Sequence, residues 1–276
     1  MASPQGSILI TGPNGGIGIG FVSQFLKSPY ALTHSAIYAV RDPAKAVDLK
    51  TALERAPKHH KYLVLPIDLT SQASIRSFAA DVNHHVASGT VPPISALILN
   101  AGVQDTGREY FTSDGFERTF YVNYLANFLL TLLLLQSMDK EHGRVIYTGS
   151  TATDIWWSVN NAYFSNEEQK KSIVTGCEKM AKGVEEHPDG NVVKTGQRRY
   201  ALSKILMEAW MHELQRRINT DASLSNISVL GHDPGWIGAT DLTRNGDATT
   251  KIAFRCIKFF ALFAWIFSSN PMLRTP

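Results

Sequence analysis

The chain has 276 residues, of which 44% are hydrophobic and 18% are charged, and its formal net charge is +3. This length is enough for one large α/β domain with a full hydrophobic core, and the composition excludes an intrinsically disordered chain. The positive charge is small and scattered along the sequence, so we expect no nucleic-acid partner.

The start of the chain and its two cysteines indicate in which cellular compartment the protein is expected. Residues 1–7 contain neither a charged n-region nor an apolar h-region, so the sequence predicts no signal peptide. The two cysteines, Cys177 and Cys256, form neither a metal-ligand spacing nor a disulfide framework. We therefore expect a cytoplasmic protein without a metal site.

Six apolar runs of strand length recur between helical stretches. They do not alternate with polar residues, which is typical of strands buried on both faces. The runs are Ser7–Thr11, Ala36–Val40, Tyr62–Leu65, Ala96–Leu99, Arg144–Thr148 and Ile227–Gly231. This rhythm predicts an α/β fold, a single doubly wound parallel sheet of six to seven strands with helices on both faces. Because no linker or repeat interrupts it, residues 1–276 are predicted to form one domain.

A glycine-rich loop follows the first predicted strand and opens a helix. Gly12 allows a tight turn, while Gly16 and Gly18 let the backbone approach a pyrophosphate at the helix N-terminus. The other residues of this predicted dinucleotide site are Thr11, Asn14 and Ile17. A purely structural turn is the alternative, because glycine-rich loops are common in α/β folds.

The end of the second strand indicates which dinucleotide is bound. An acidic residue at this position would bind a ribose 2′-OH, but Val40 occupies it and Arg41 follows. A guanidinium suits a 2′-phosphate through its charge and planar donor fork, so the sequence favours NADP(H). In the alternative, Arg41 is only solvated and Asp42 takes the acidic role.

Two further motifs stand where the third and fourth strands end. Asp68, followed by Leu69, could accept a hydrogen bond from an adenine amino group. Asn100, Ala101 and Gly102 provide small residues where the backbone must pass close to a nucleotide. Either motif alone is weak, since Asp and Asn after a strand are more often helix caps.

Tyr200 and Lys204 lie four positions apart in a segment that is predicted to be helical through Ile218, so both face the same side. A free phenol has a pKa of about 10 and is a poor acid–base group at neutral pH. A nearby ammonium favours the phenolate and lowers that pKa. The pair therefore predicts general acid–base chemistry, with a surface helix pair as the alternative.

Taken together and in this order, these motifs resemble the classical branch of the short-chain dehydrogenase/reductase family over almost the whole chain. Ser150, after the fifth strand, matches the family's catalytic serine, and Asn123 matches its helix-borne asparagine. The resemblance implies that Tyr200 delivers a proton while Lys204 lowers its pKa and holds the nicotinamide ribose. It also implies that Ser150 binds the substrate oxygen and Asn123 anchors a water chain.

The resemblance extends to a motif after the sixth strand. Pro234, Gly235 and Ile237 should line the nicotinamide, and Thr240 should contact its carboxamide or the pyrophosphate. The threonine stands one position later than the family pattern has it. The chain also ends at Pro276, where the family adds a further strand, so either the sequence shown is shortened or the sheet has six strands.

Ser150 and Tyr200 are much farther apart than in most family members. We interpret residues 153–197 as an insertion with one or two short, solvated helices, comparable to those of carbonyl reductases and retinol dehydrogenase-like members. Because it enters directly before the tyrosine helix, it would cover the surface through which family members pair. We therefore expect a monomer or an atypical dimer.

Residues 236–276 are predicted to be a substrate lid with a C-terminal apolar segment, 252–267. Its uninterrupted apolar run is too short to span a membrane, so it either packs on the pocket or makes a peripheral membrane contact. Trp156, Trp157 and Trp236 are expected to wall an apolar pocket.

These expectations combine into one function. The chain is predicted to be an NADPH-dependent reductase or dehydrogenase. It would transfer a hydride between nicotinamide and a ketone or alcohol of a bulky apolar small molecule, with polyketide-like secondary metabolites as one candidate class. The alternatives are a non-redox lyase, isomerase or cyclase of the same fold, and a non-catalytic NADP-binding protein.

Overall fold

The computed structural model describes residues 5–164, 177–183, 190–235 and Leu242, and its six strands form one sheet. The strands are β1 (Gly6–Thr11), β2 (His34–Val40), β3 (Tyr62–Pro66), β4 (Ile94–Leu99), β5 (Arg144–Thr148) and β6 (Ser228–His232). Their order is β3-β2-β1-β4-β5-β6, and all neighbouring pairs are parallel. This is the strand order of a doubly wound dinucleotide-binding sheet, so the predicted fold class is confirmed.

Helices cover both faces of this sheet. They are α1 (Gly16–Lys27), α2 (Tyr30–Thr33), α3 (Val47–Leu53), α4 (Gln72–Ala87), α5 (Arg118–Ser137), α6 (Ser158–Asn161), α7 (Cys177–Ala181) and α8 (Val192–Thr220). Successive strand residues point to opposite faces. Leu9 accordingly joins a core cluster with α4, α5 and α8, whereas Ile10 joins a second cluster with α1 and α3. The central strands are thereby buried on both faces, as the apolar runs predicted.

The expectation of full burial is wrong for the two outer strands. Tyr62 of β3 is 44% exposed, and Leu230 of β6 is 46% exposed. Both strands lie at the edges of the described sheet, where they have fewer helices and only one neighbouring strand to cover them.

Helix α5 is long and apolar enough to cross a membrane by length and composition alone, with a mean hydropathy of 1.3 over its best window. Its inner side nevertheless packs in the main core, where Val122, Ala126, Leu130 and Leu134 are buried. A core helix explains this composition without a membrane. The helix contains one π-helical turn, Tyr121–Leu125.

The segment between β5 and α8 differs in two ways from the predicted insertion. Helix α8 begins at Val192, where Asn191 caps it, so residues 192–197 belong to the helix and not to the insertion. Glu178 and Lys182 form an ion pair at 2.6 Å, but α7 is not fully solvated, because Met180 and Ala181 are buried. They share a third core cluster with residues of α8.

Several predicted features lie outside the described residues. They are Trp236, Ile237, Thr240 and the apolar segment 252–267, together with parts of the predicted insertion, 165–176 and 184–189.

Candidate active site

A cavity of about 1010 Å³ runs along the carboxyl ends of the central strands. In open α/β sheets this edge is where ligands bind, at the point where the strand order reverses. Most of the sequence-predicted site residues line it, namely Thr11, Gly12, Asn14, Gly16, Ile17, Gly18, Arg41, Leu69, Asn100, Ala101, Gly102, Ser150, Tyr200, Lys204, Pro234 and Gly235. Two described residues of the predicted set, Asp68 and Asn123, do not line it.

The glycine loop joins β1 to α1 with little room for side chains. Gly12 has a φ of 66°, and a Cβ placed on Gly18 would lie 2.1 Å from the Gly12 carbonyl oxygen. Only glycine at position 18 lets the first turn of α1 pack so closely on the loop. Gly15 caps α1 without a side-chain hydrogen bond, so the N-terminal amides of the helix stay open to the cavity. This arrangement fits the pyrophosphate of a dinucleotide.

The Asn100 motif braces this loop. The Thr11 hydroxyl accepts hydrogen bonds from the backbone N–H groups of Asn100 and Ala101, both at 3.1 Å. The Asn100 side chain donates to the carbonyl oxygens of Thr11 and Gly12, at 3.0 and 3.2 Å. The motif therefore holds the ends of β1 and β4 together in addition to lining the cavity.

Two basic side chains, Arg41 and Lys45, follow the end of β2. Arg41 is exposed and lines the cavity, and Lys45 lies 2.9 Å from the Asp42 carboxylate. Asp42 also accepts from the Ala44 N–H, and its hydrogen bond from Lys45 lowers its pKa. Because Asp42 is already engaged by its neighbours, it is a poor candidate for a ribose hydroxyl.

Of the other residues predicted to bind the adenosine end, Leu69 and Asn14 line the cavity and Asp68 does not. The Asp68 carboxylate accepts hydrogen bonds from the N–H and the hydroxyl of Thr70, so it stabilises a turn while Leu69 faces the cavity. Asn14 lines the cavity, and its side chain also accepts a hydrogen bond from Leu49 N–H at the start of α3.

Ser150, Tyr200 and Lys204 meet at the opposite end of the cavity from Arg41. The Ser150 hydroxyl accepts a hydrogen bond from Ala152 N–H at 3.2 Å, and its interaction with the Tyr200 phenol acts to lower the pKa of that phenol. Lys204, one turn along α8, donates from Nζ to the Thr148 carbonyl oxygen at 2.7 Å, and its Nζ lies 5.7 Å from the centre of the Tyr200 ring. Both Tyr200 and Lys204 are buried. The arrangement can hold a carbonyl oxygen between two hydroxyl groups.

The expected lowering of the Tyr200 pKa is wrong in direction. Burial raises the pKa of Tyr200 to about 12, and the Ser150 hydrogen bond only partly opposes this. Burial also lowers the pKa of Lys204 to about 8, although the charge of the Asp233 carboxylate acts to raise it. Desolvation disfavours the charged form of each group and is the largest cause of both pKa shifts. At neutral pH the phenol is therefore protonated and the lysine is mostly charged.

Asn123 lies on the π-helical turn of α5 and is fully buried. Its side-chain oxygen accepts from Val103 N–H at 2.9 Å, and its amide donates to the Val103 carbonyl and the Ser203 hydroxyl. These bonds fix the loop after β4 against α8. Asn123 thus contacts its neighbours in the protein and does not itself line the cavity.

The sequence analysis missed several side chains that line the cavity. Among them are Gln104, Asn160, Tyr163, Gln197, Asp233 and Leu242. Gln197 could have been found, because it precedes Tyr200 by three positions and so lies on the same helix face. Trp156 and Trp157, which were expected to wall the pocket, are 66% and 41% exposed and do not line it.

A buried ionic cluster connects the loop after β4 to the start of α8. Arg118 contacts the fully buried Asp105 at 2.7 Å. Arg199, directly before Tyr200 in the chain, lies 3.6 Å from Glu109 and 3.7 Å from Glu117. Burial raises the pKa of Glu117. The cluster orients the segment of helix that carries the tyrosine.

The strand order, the glycine loop and the cluster of hydroxyl and ammonium groups define a dinucleotide-binding α/β protein with an acid–base centre. The family model for short chain dehydrogenases matches residues 7–187, and the chain belongs to this family.

Relatives and solved structures agree with this assignment. A short-chain dehydrogenase of Talaromyces variabilis, iccH, is 40% identical over 255 residues, which cover 84% of this chain and 69% of the relative. Protochlorophyllide reductase A of Oryza sativa is 29% identical, and the match covers 91% of this chain but 62% of that protein. An NADPH-bound carbonyl reductase from chicken fatty liver shares the fold, with a TM-score of 0.60 at 21% identity over 87% of this chain and 82% of that one.

Proposed function

We propose that this protein is an NADP(H)-dependent reductase or dehydrogenase that interconverts a ketone and an alcohol of a small molecule. The observation that carries the proposal is the group formed by Ser150 and the buried Tyr200 and Lys204 at one end of a cavity whose other end is the glycine loop. A dinucleotide site and an acid–base centre in one cavity suit the transfer of a hydride and a proton to one carbonyl group.

The protein's own residues handle the proton. A bound nicotinamide supplies the hydride for reduction or accepts it in oxidation. Ser150 donates a hydrogen bond to the carbonyl oxygen, and Tyr200, which is protonated at neutral pH, transfers its proton to that oxygen as the carbon gains the hydride. The charge of Lys204 stabilises the phenolate that is left on Tyr200.

The choice of NADP(H) rests on the end of β2. Arg41 would bind a 2′-phosphate, and Lys45 adds positive charge while it engages Asp42. The open amides at the start of α1 would hold the pyrophosphate, and Pro234 and Gly235 would line the nicotinamide end.

We propose a single domain in the cytoplasm in which residues 236–276 cover the substrate end and residues 252–267 either pack on the pocket or make a peripheral membrane contact. Polyketide-like ketones are the first substrates to test. The alternatives are a non-redox enzyme of this fold and an NADP-binding protein without turnover, and the same assay separates the proposed reductase from both.

The test is NADPH oxidation by the purified chain with a panel of aromatic and polyketide-like ketones. Tyr200→Phe removes the proton donor with little change in volume, so we expect turnover to fall by about a hundredfold to ten-thousandfold while NADPH binding is kept. The exposed Tyr30 provides a matched control, and Tyr30→Phe should leave turnover unchanged. Near wild-type turnover in Tyr200→Phe would contradict the reductase mechanism, and NADPH binding without any oxidation would favour the non-catalytic alternative.

A further inference from the structure

Two glutamine side chains lie side by side at the substrate end of the cavity. Gln197 is on α8, three positions before Tyr200, and Gln104 is in the loop after β4. The amide of Gln104 donates a hydrogen bond to the side-chain oxygen of Gln197. Gln104 is only 6% exposed, and its backbone N–H donates to the Leu242 carbonyl at 3.1 Å. Gln104 is thus held in place both by Gln197 of α8 and by Leu242.

The pairing leaves a defined set of polar groups. A primary amide has two N–H donors and one carbonyl acceptor. The bond between the two amides uses one N–H of Gln104, and among the described residues it leaves the Gln104 oxygen, its second N–H and the Gln197 NH₂ group without another hydrogen bond. Exchanging the two ends of both amides would still leave one acceptor and one donor. The two amides therefore offer both a hydrogen-bond acceptor and a hydrogen-bond donor in the wall of the cavity.

A hydroxyl group matches this pattern better than other common oxygen groups. Its single oxygen can donate to the free acceptor and accept from the free donor at once. A carboxylate would bring negative charge against the amide oxygen, and a plain carbonyl would use only the donor. The match is therefore specific for an alcohol, phenol or enol.

The position of the pair sets where this hydroxyl lies in the substrate. Side chains three apart on a helix have Cβ atoms about 5–6 Å apart, so Gln197 is a direct neighbour of Tyr200 along the groove. Since Tyr200 faces the reacting oxygen in the proposed function, the hydroxyl belongs a few bonds from that carbonyl.

We propose that Gln104 and Gln197 bind a hydroxyl group of the substrate, so that the enzyme selects hydroxylated ketones over the same ketones without the hydroxyl. The inference rests on the proposed function, because it takes Tyr200 as the proton donor. It adds a substrate class and two specificity-determining residues to that function.

The test compares unsubstituted tetralone with tetralones that carry one hydroxyl at each ring position in turn. At least one hydroxylated tetralone should have a kcat/KM about tenfold to a hundredfold above that of the parent. Gln197→Met keeps the length of the side chain but removes its polar groups, so it should lower kcat/KM for the preferred hydroxylated ketone far more than for the parent. Gln104→Met, on a different element, should do the same.

Gln136→Met is the matched control, because Gln136 is exposed on α5 away from the cavity. It should leave the preference unchanged. Equal kcat/KM for all tetralones, or an equal loss for both ketones in the two cavity variants, would overturn the inference while leaving the proposed function intact. Absence of turnover with every ketone tested would instead overturn the proposed function, and this inference with it.

Discussion

Tyr200 and Lys204 have pKa shifts in opposite directions that share one cause. Each is buried, and burial favours the neutral form, which is the protonated phenol in one case and the free amine in the other. Their ordinary pKa values lie close together near 10, but in this site they are separated to about 12 and about 8. The proton needed for reduction is thereby kept on the tyrosine at neutral pH.

This separation predicts a pH dependence for reduction. As pH rises through about 8, Lys204 loses its proton and with it the charge that stabilises the phenolate, while Tyr200 stays protonated. We expect kcat/KM to be constant below that value and to fall above it, as measured by initial rates of NADPH oxidation across the range. Lys182→Met, which removes an exposed lysine, should give the same profile. A rate that stays constant well beyond pH 8 would contradict the assigned role of Lys204.

Arg41 is expected to determine the choice of dinucleotide. A charge-assisted hydrogen bond to a 2′-phosphate is worth about 1.5–3 kcal/mol, so Arg41→Ala should weaken the apparent affinity for NADPH by about tenfold to a hundredfold. Affinity for NADH should not change, because NADH has no phosphate at this position. Titration of both cofactors measures the effect, with Arg55→Ala, at another exposed arginine, as the control. An equal loss for the two cofactors would rule out this role.

Among single residues, the sequence predicted the two ends of the cavity, the glycine loop and the Tyr200–Lys204 pair, better than the side chains along its walls. Tyr200 and Lys204 could be paired because helical spacing alone puts them on one face. The side chains of Asp68 and Asn123 were predicted to serve the ligands, and in this structure they form hydrogen bonds with Thr70 and Val103. Thr70 lies in a turn and Val103 lies in the loop after β4. No local sequence pattern shows which of several polar neighbours will form the hydrogen bond with a given side chain.

Among the elements, helix α8 and the loop after β4 lie in close contact at Gly196. A Cβ placed on Gly196 would lie 2.5 Å from the Thr106 Cα and 2.7 Å from the Asp105 carbonyl oxygen. Both obstacles are backbone atoms, and the Asp105–Arg118 ion pair holds the loop from its other side. A side chain at position 196 must therefore push the loop and the tyrosine helix apart.

Gly196→Ala is predicted to lower the free energy of unfolding by about 1–3 kcal/mol through this overpacking. Turnover should fall more than NADPH affinity, because the displaced part of α8 carries Tyr200 and Gln197 while the glycine loop lies elsewhere. Denaturant unfolding and cofactor titration give the two measurements. Gly20→Ala is the matched control within α1, where no atom lies within 4 Å of the added carbon, and it should not destabilise the protein. If both variants had the same free energy of unfolding, the close contact at Gly196 would not limit the stability of the protein.

The elements themselves were predicted unevenly. All six strands were located to within two residues, because buried parallel strands are apolar runs whatever surrounds them. The start of α8 at Val192 was missed, since Thr195 and Gly196 are weak helix formers and the helix there depends on its packing against the loop after β4.

At the scale of the whole molecule, the segment between β5 and α8 covers part of the tyrosine helix. Phe164, Met180 and Ala181 are buried in one cluster with Ala201 and Leu202 of α8. The backbone N–H of Glu117 also donates to the Ala181 carbonyl at 2.7 Å. Surface of α8 that is covered in this way cannot contact a second copy of the chain.

We therefore predict a monomer, or a dimer that pairs through another surface. A stable interface needs on the order of 1,000 Å² of complementary surface, which this covering reduces on α8. Light scattering in detergent-free buffer should give a mass near the 30.5 kDa of one chain, or twice that value. A tight tetramer would show that the segment leaves the pairing surface of α8 free.

The brace formed by Thr11 and Asn100 has a consequence for the thermodynamics of cofactor binding. Four hydrogen bonds order the glycine loop against the end of β4 as part of the folded sheet. The chain entropy of that loop is therefore lost during folding and not when a ligand arrives. Dinucleotide binding should show a small conformational entropy change at this end of the cavity. In Asn100→Ala, calorimetry should find the same favourable enthalpy from the phosphate contacts offset by a larger entropic penalty.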